Sequence, residues 1–357
     1  MTWVSVMMRR MGPLARLDWL LLALLVIVTP LSMRFIDRQE KSDGISLETA
    51  AAEQISPAVP LEHLSQEQLR QLLQERLADR PGLIRWMIFV GIFLLAILGL
   101  ALWNLFWIGA RLIRRQAVLP QQGTVAPPAW GWVHLLRLPI GVLLMEQAIY
   151  WIGMRAFPAG PLDRNFLGVV ATLIIDLFLI AVGGWLLLRV MQPVRPGSLR
   201  PPIQLGLSAY WAGWPVLVAV MCLSAFLIKL LPIEIEMQEA FKLLFSEGRK
   251  PVLFGLMALV ALIGPVAEEI YFRGLLYGWL RARIGVAKGL FLSALLFSLL
   301  HANGYAFLPI LALGLLLGWV YERTGSLAAP IAVHIVHNVV MLALAVGMKE
   351  ILAGLQP

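Results

Sequence analysis

The chain has 357 residues, of which 60% are hydrophobic and 14% are charged. Soluble domains are nearer half apolar and a quarter charged, so this composition excludes an ordinary water-soluble domain and indicates a polytopic membrane protein. The formal net charge of +8 comes from short arginine clusters between apolar segments, as membrane topology requires, and does not predict a nucleic-acid partner. The single cysteine excludes an internal disulfide and a Cys-based metal cluster.

The first apolar run, Leu17–Met33, follows three arginines within the first sixteen residues. No small-x-small cleavage site follows it, so residues 1–35 are predicted to be a cytoplasmic tail and an uncleaved signal-anchor helix rather than a cleaved signal peptide. Residues 36–85 then form a non-cytoplasmic segment. Its SQEQLRQLLQERLADR stretch predicts a short amphipathic helix that acts as a cap or partner contact, with a solvated spacer as the alternative.

The rest of the chain predicts an all-α fold, a polytopic membrane helical bundle of about eight or nine transmembrane helices. Residues 86–231 hold additional transmembrane helices, residues 232–250 an interfacial amphipathic helix, and residues 251–348 the last group of spans. The expected spans after the first are Trp86–Ala110, Trp130–Ile152, Phe166–Leu188, Leu205–Leu231, Pro251–Leu280, Gly289–Ala302, Ala306–Tyr321 and Leu327–Val346. The pair after Gly289 is shorter than the roughly 20 residues that a perpendicular span needs.

Basic clusters predict the orientation of the chain. They fall at alternate ends of successive spans, around Arg10, Arg114, Arg195, Arg283 and Arg323. All of them can face the cytoplasm together, which predicts a cytoplasmic N-terminus. The expected location is the cell membrane, in a multi-pass arrangement and in a bacterial inner membrane.

Two adjacent acids, Glu268 and Glu269, lie inside the apolar segment PVAEEIYFRGLL. A carboxylate at bilayer depth costs about 2.5–3.5 kcal/mol even on lenient scales, so the pair predicts a functional site. Glu269 and Arg273 are four residues apart, the favourable order for a same-face ion pair, which would keep Glu269 ionised. A structural salt bridge is the simpler alternative. Asp176, in an earlier span, is assigned to a packing network or a water-filled crevice.

Two later helices carry polar groups at matching spacing. Phe297 and His301 are four residues apart, as are His334 and Asn338, so each pair projects from one side of its helix. Glu268 lies thirteen residues before Arg281 and His301 lies thirteen after Lys288. Each is therefore about 20 Å from the same membrane face, which would bring them level on adjacent antiparallel helices.

This constellation predicts hydrolytic chemistry inside the bilayer. Glu268 is suited to take a proton from water and return it to a leaving amine, and His301 can share that water. His334 and Asn338 can donate hydrogen bonds to a developing oxyanion. His337, about 60° around the helix from His334, would either line the site or pack.

These residues resemble the CPBP family, which includes the CAAX proteases and the bacteriocin-processing or self-immunity proteins also called the Abi family. The family pattern is EExxxR, FxxxH and HxxxN on successive membrane helices, matched here by Glu268-Glu269-x-x-x-Arg273, Phe297-x-x-x-His301 and His334-x-x-x-Asn338. The resemblance implies a CPBP catalytic core over residues 251–348 and a glutamic-type intramembrane endopeptidase.

The same resemblance implies residue roles and a substrate class. Glu268 with His301 would activate water, His334 with Asn338 would form the oxyanion hole, and Glu269, Arg273 and Phe297 would support them. The expected partners are the lipid bilayer and a membrane-embedded or membrane-associated protein or peptide, such as a leader or a C-terminal sorting tail. No cofactor is expected.

Three alternatives remain open from the sequence. One is a zinc protease with Glu268, His301 and His334 as ligands. A second is a non-proteolytic bacteriocin-immunity or scaffold protein of the same family. The third is a proton-coupled transporter, which the absence of paired broken spans in two halves of the chain disfavours.

Overall fold

A computed structural model describes residues 81–117, 121–128, 130–156, 161–188, 200–230 and 239–355. Most of these residues are helical, and none of them is in a β-strand. The helices are α1 Pro81–Ile113, α2 Trp132–Ala156, α3 Pro161–Leu188, α4 Arg200–Leu230, α5 Glu239–Ser246, α6 Lys250–Ile284, α7 Val286–Leu300, α8 Phe307–Thr324 and α9 Ala328–Leu355. The predicted signal-anchor and outer amphipathic helices lie outside the described residues.

Seven of the described helices are long and apolar enough to cross a membrane: α1, α2, α3, α4, α6, α8 and α9. The predicted polytopic helical bundle is therefore confirmed. The helix α7 has 15 residues and a length of roughly 22 Å, which is short of the ~30 Å hydrocarbon core. Of the predicted short pair, only α8 meets the length of a span.

Within the described residues, the predicted interfacial helix over residues 232–250 corresponds to α5, Glu239–Ser246. The next residue, Glu247, turns its carboxylate back to accept hydrogen bonds from the backbone N–H of Arg249 at 2.8 Å and from its guanidinium at 3.1 Å. Burial raises the pKa of Glu247, but these hydrogen bonds outweigh it and the pKa lies below 4.5. The turn therefore separates α5 from the start of α6.

Two further contacts attach this turn region to the bundle. Asn165 of α3 donates a hydrogen bond to the Glu247 carboxylate at 3.4 Å. The ammonium group of Lys349, near the end of α9, donates to the Leu244 carbonyl at 2.6 Å. The short helix thus contacts the ends of two spanning helices rather than standing alone.

The helices α7 and α8 pack closely because two glycines of α8 face α7. A side chain added at Gly314 would meet Ala294 and Phe297 at 3.1–3.2 Å, and one added at Gly318 would meet Leu290 at 2.7 Å. Glycines four residues apart on one helix allow this close approach. At the other end of the same region, Arg281 of α6 binds Glu322 of α8 through an ion pair of 2.7 Å.

The helix α6 is not a regular α-helix. It contains two π-helical segments, Leu259–Ile263 and Ile270–Tyr277, which flank the short α-helical segment Gly264–Glu269. Proline at position 265 explains the first, because its ring clashes with the carbonyl four residues earlier and it has no N–H to donate. Widening to a π-helical turn relieves this clash. The two glutamates therefore sit at the end of an α-helical turn between two wider ones.

Candidate functional site

The first π-helical segment leaves one backbone carbonyl without a helical donor. The N–H of Gly264 donates to the Leu259 carbonyl, the five-residue spacing of a π-helix. The next carbonyl, Val260, would need the N–H of residue 265, which proline lacks. The side-chain amide of Asn338, from α9, fills this position with an Nδ2–O distance of 2.7 Å.

The second π-helical segment is supported by side chains of other elements in the same way. The Phe272 carbonyl accepts a hydrogen bond of 3.0 Å from the Ser293 hydroxyl of α7. The Leu275 carbonyl accepts one of 3.0 Å from the indole N–H of Trp130, just before α2. Tertiary donors therefore add hydrogen bonds to carbonyls of the irregular turns and help to hold α6 in this shape.

Glu269 and Arg273 form a buried ion pair along α6. The Nη1–Oε1 distance is 2.8 Å, and the side chains are 0% and 1% exposed. The guanidinium also donates to the Gly314 carbonyl of α8 at 3.2 Å and lies 4.4 Å from the centre of the Phe297 ring. The pairing agrees with the four-residue spacing, and burial makes each charge dependent on the other.

His334 of α9 contacts both glutamates. Its Nδ1 lies 2.9 Å from Oε1 of Glu269, and its Nε2 lies 3.7 Å from Oε2 of Glu268. Because the ionised Glu269 only accepts hydrogen bonds, Nδ1 of His334 carries the proton and donates it. The other nitrogen is then left facing Glu268, whose side chain is 35% exposed.

His301 follows the last residue of α7 and is held by its own helix. Its Nδ1 lies 2.7 Å from the Phe297 carbonyl. A carbonyl cannot donate, so Nδ1 carries the proton and Nε2 of the neutral ring carries the lone pair. The next residue, Ala302, has a φ of 47°, a left-handed conformation that non-glycine residues seldom adopt.

The Phe297 ring, which is 1% exposed, joins the two imidazoles. It makes edge contacts with His301 at a centroid distance of 4.7 Å and with His334 at 5.8 Å. With the guanidinium of Arg273 also against it, this one ring contacts a residue from each of the three motifs. The three motifs therefore meet in one place, around an aromatic side chain.

The structure places a histidine beside Glu268 that the sequence analysis did not assign to it. Glu268 and His301, both among the described residues, make no hydrogen bond or ion pair with each other, and the histidine beside Glu268 is His334. The donors assigned to an oxyanion are also engaged, because Nδ1 of His334 donates to Glu269 and Asn338 donates to Val260. Each side chain keeps one further nitrogen position outside these bonds, Nε2 of His334 and the second N–H of Asn338.

Two residues outside the motifs have clear positions. His337 packs against α4, where its Nδ1 lies 3.2 Å from the Tyr210 hydroxyl.

Asp176 of α3 is 9% exposed and is close enough to Glu268 to interact with its charge. A methyl group on Gly264 would lie 3.7 Å from Oδ2 of Asp176. The sequence analysis did not connect Asp176 to the glutamates, although an acid in a spanning helix was a signal that pointed to it.

The described part of the chain contains no group of three His, Cys, Asp or Glu side chains placed to hold a metal ion. The alternative zinc ligands Glu268, His301 and His334 are therefore not assembled as a metal site here. His334 uses Nδ1 for Glu269, and His301 uses Nδ1 for its own helix. Only the Nε2 atoms of the two rings remain available as ligands.

Comparisons with known proteins agree with the motifs. Residues 250–340, which include all three motifs, match the family described as Type II CAAX prenyl endopeptidase Rce1-like. The chain is also similar to "Putative membrane peptidase YdiL" of Bacillus subtilis (strain 168), with 31% identity over 84 residues. That match covers 23% of this chain and about a third (34%) of the relative. No solved structure matches the chain significantly. The predicted family resemblance is thus confirmed for residues 250–340.

Proposed function

We propose that this multi-pass membrane protein is an intramembrane endopeptidase that hydrolyses a peptide bond of a membrane-associated protein or peptide. The observation that carries the proposal is His334 between two glutamates, 2.9 Å from one and 3.7 Å from the other. Glu269, fixed by Arg273, orients the imidazole, as the third member of a catalytic triad orients its histidine. Glu268, which is partly exposed, is the acid left free to exchange a proton.

In the proposed reaction, Glu268 takes a proton from a water molecule as the water oxygen attacks the substrate carbonyl. The lone pair on Nε2 of His301 accepts a hydrogen bond from the same water and directs it. The attack produces a tetrahedral oxyanion. When the carbon–nitrogen bond breaks, the proton on Glu268 passes to the leaving amine, and Glu268 is ionised again.

The oxyanion requires donors, and two are available in this arrangement. In the imidazolium form, Nε2–H of His334 can donate while Nδ1–H stays on Glu269. The second N–H of Asn338 can donate while the first stays on Val260. One such donor typically contributes about 10²–10³ in kcat in a dry site. The positive imidazolium and Arg273 would also balance the two carboxylates, which a low-dielectric site favours.

The substrate is proposed to be a membrane-inserted peptide, a leader or a C-terminal sorting tail. The polar residues sit among helices long and apolar enough to cross a membrane, and α7, with 15 residues, is shorter than a span. Unwound backbone at membrane depth is stable only where it is buried in protein or borders a water-filled cavity. The turn after His301 is therefore the proposed route by which water reaches the site. A bacterial inner membrane with a cytoplasmic N-terminus remains the proposed setting.

The test is comparative proteomics of membrane fractions from cells that carry the wild-type protein, Glu268→Ala or His301→Ala. We expect one or more membrane proteins to accumulate uncut in both variants, with new termini only in the wild type. Identical termini in all three strains, at equal expression of the protein, would refute the proposal and favour the non-proteolytic immunity or scaffold function. Proton-driven uptake by reconstituted vesicles would favour the transporter alternative.

A further inference from the structure

The Val260 carbonyl has no backbone donor because of the residue five positions later. In an α-helix it would accept from the N–H of Gly264, but that group donates to Leu259. In a continued π-helix it would accept from residue 265, which is proline and has no N–H. Inside a membrane, an unpaired carbonyl is strongly unfavourable because no water replaces the missing donor.

Asn338 supplies this donor from a different helix. Its Nδ2 lies 2.7 Å from the Val260 oxygen, and the nitrogen of the amide must face the carbonyl because both oxygens are acceptors. Asn338 lies one helical turn after His334 on α9, and Val260 lies about two turns before Glu268 on α6. The hydrogen bond therefore sets the register between the helix of the glutamates and the helix of the histidine.

We infer that Asn338 is a positioning residue, which holds α9 against the proline-disrupted turn of α6 and thereby sets the 2.9 Å and 3.7 Å approaches of His334 to the two glutamates. The inference rests on the proposed function, in which those three groups act together. Pro265 and Asn338 then act together as one functional unit. The proline removes the backbone donor that the asparagine replaces, so Asn338 should matter less when Pro265 is changed.

The test is a four-member cycle in the full-length protein in detergent: wild type, Asn338→Ala, Pro265→Ala and the double variant. Alanine at position 265 restores an N–H, so that either a π-helical or an α-helical turn provides Val260 with a backbone donor. We expect Asn338→Ala to lower Tm by roughly 2–4 °C with Pro265 present, and by less than half as much in the Pro265→Ala background. An equal loss in both backgrounds would overturn the inference.

A matched control is Asn104→Ala. Asn104 is also buried, and its Nδ2 donates to the Leu100 carbonyl of its own helix at 2.8 Å. Its effect on Tm should be the same in the wild-type and Pro265→Ala backgrounds. A dependence on residue 265 as large as that of Asn338 would show a general effect of the proline and would also overturn the inference.

A second measurement covers the case in which Pro265→Ala does not fold. Hydrogen–deuterium exchange is compared between wild type and Asn338→Ala alone. We expect faster exchange in residues 255–270, where α6 loses its contact with α9, and unchanged exchange in residues 310–320 of α8. Unchanged exchange in residues 255–270 would overturn the inference.

Measurements of substrate cleavage distinguish a positioning role of Asn338 from direct donation to the oxyanion. Processing of the substrate identified by the proteomic comparison should fall in Asn338→Ala and recover in part, by at least tenfold, in the double variant, which still lacks the oxyanion donor proposed for Asn338. If processing stays lost although Tm recovers, the positioning role in catalysis is refuted. If Glu268→Ala leaves processing unchanged, the proposed function fails, while the Tm cycle still decides whether Asn338 and Pro265 act as a unit.

Discussion

Nδ1 of His334 lies 2.9 Å from Oε1 of Glu269, and this contact joins the first and third motifs of the site. Glu269 is fully buried, and Nη1 of Arg273 binds the same oxygen, Oε1, at 2.8 Å. Its carboxylate therefore fixes both the tautomer and the direction of the imidazole. The two adjacent acids therefore have different roles. Glu269 holds the imidazole of His334 in place, and Glu268 remains able to exchange a proton.

Glu268→Gln should abolish cleavage with little effect on folding. The side chain is 35% exposed, so the amide costs little stability, whereas loss of the base should lower kcat by about 10²–10⁴. The matched control is Glu146→Gln, another acid in a spanning helix, exposed on α2. Substrate processing and Tm are measured for both variants. Equal processing by Glu268→Gln and wild type would contradict the assignment.

Single substitutions in the buried pair of Glu269 and Arg273 should destabilise the protein more than the double substitution does. Either Glu269→Gln or Arg273→Met alone leaves a buried charge without its partner, which typically costs about 3–5 kcal/mol. The double variant removes both charges and should recover much of this stability while remaining inactive, because the neutral amide at position 269 no longer stabilises the imidazolium form of His334. Denaturant or thermal unfolding of the four proteins measures the coupling. Additive losses would mean that the two charges are not dependent on each other.

Phe297→Ala should loosen both imidazoles at once. The ring is 1% exposed and contacts His301, His334 and the guanidinium of Arg273. Its removal should cost about 3–5 kcal/mol, as for other buried phenylalanines, and should reduce processing. Phe291, on the same helix but 52% exposed, is the control, and Phe291→Ala should stay within about 0.5 kcal/mol of wild type. Similar losses for the two variants would contradict this role.

Acid should weaken the attachment of α5 through Glu247. The pKa of this carboxyl is lowered below 4.5 in the folded protein, because hydrogen bonds from Arg249 outweigh the opposing effect of burial. The stability it contributes is therefore complete above pH 4.5 and is lost as the pH falls through the lowered pKa. Tm of Glu247→Gln should be below that of wild type near neutral pH, with the difference shrinking at acidic pH. A difference independent of pH would exclude this ion pair as its cause.

Chelation should leave cleavage unchanged. The Nδ1 atoms of His301 and His334 already donate to a carbonyl and a carboxylate, and the described residues hold no three-ligand group. The measurement is processing of the identified substrate by membranes treated with a strong chelator, with and without added zinc. Loss of processing that zinc restores would establish the zinc-dependent alternative instead.

The local features of the site were predictable from the sequence because they depend on helical period alone. Glu269 and Arg273 pair at 2.8 Å because residues four apart share a helix face. The glycine pair of α8 allows a close approach to α7 for the same reason. Hydrophobic length likewise predicted the spanning helices that the structure describes, apart from α7.

Contacts between side chains on different helices were not predictable from the helical period. A π-helical turn adds a residue and rotates everything after it by about 100° relative to a regular helix, so residue spacing did not indicate that His334 would lie between the two glutamates. The presence of Pro265 in an apolar span was the signal that a carbonyl would need an outside donor. It did not indicate that Asn338 would be that donor.

The sequence by itself determined a chain that crosses the membrane several times and carries acid, imidazole and amide groups at helical spacing. It could do so because bilayer thickness and helix geometry act on contiguous residues. Only the tertiary structure decided that His334 lies between Glu268 and Glu269, that Asn338 binds Val260, and that Asp176 approaches the acids. These contacts depend on the rotation and register of packed helices, which hydrogen bonds between distant parts of the chain determine.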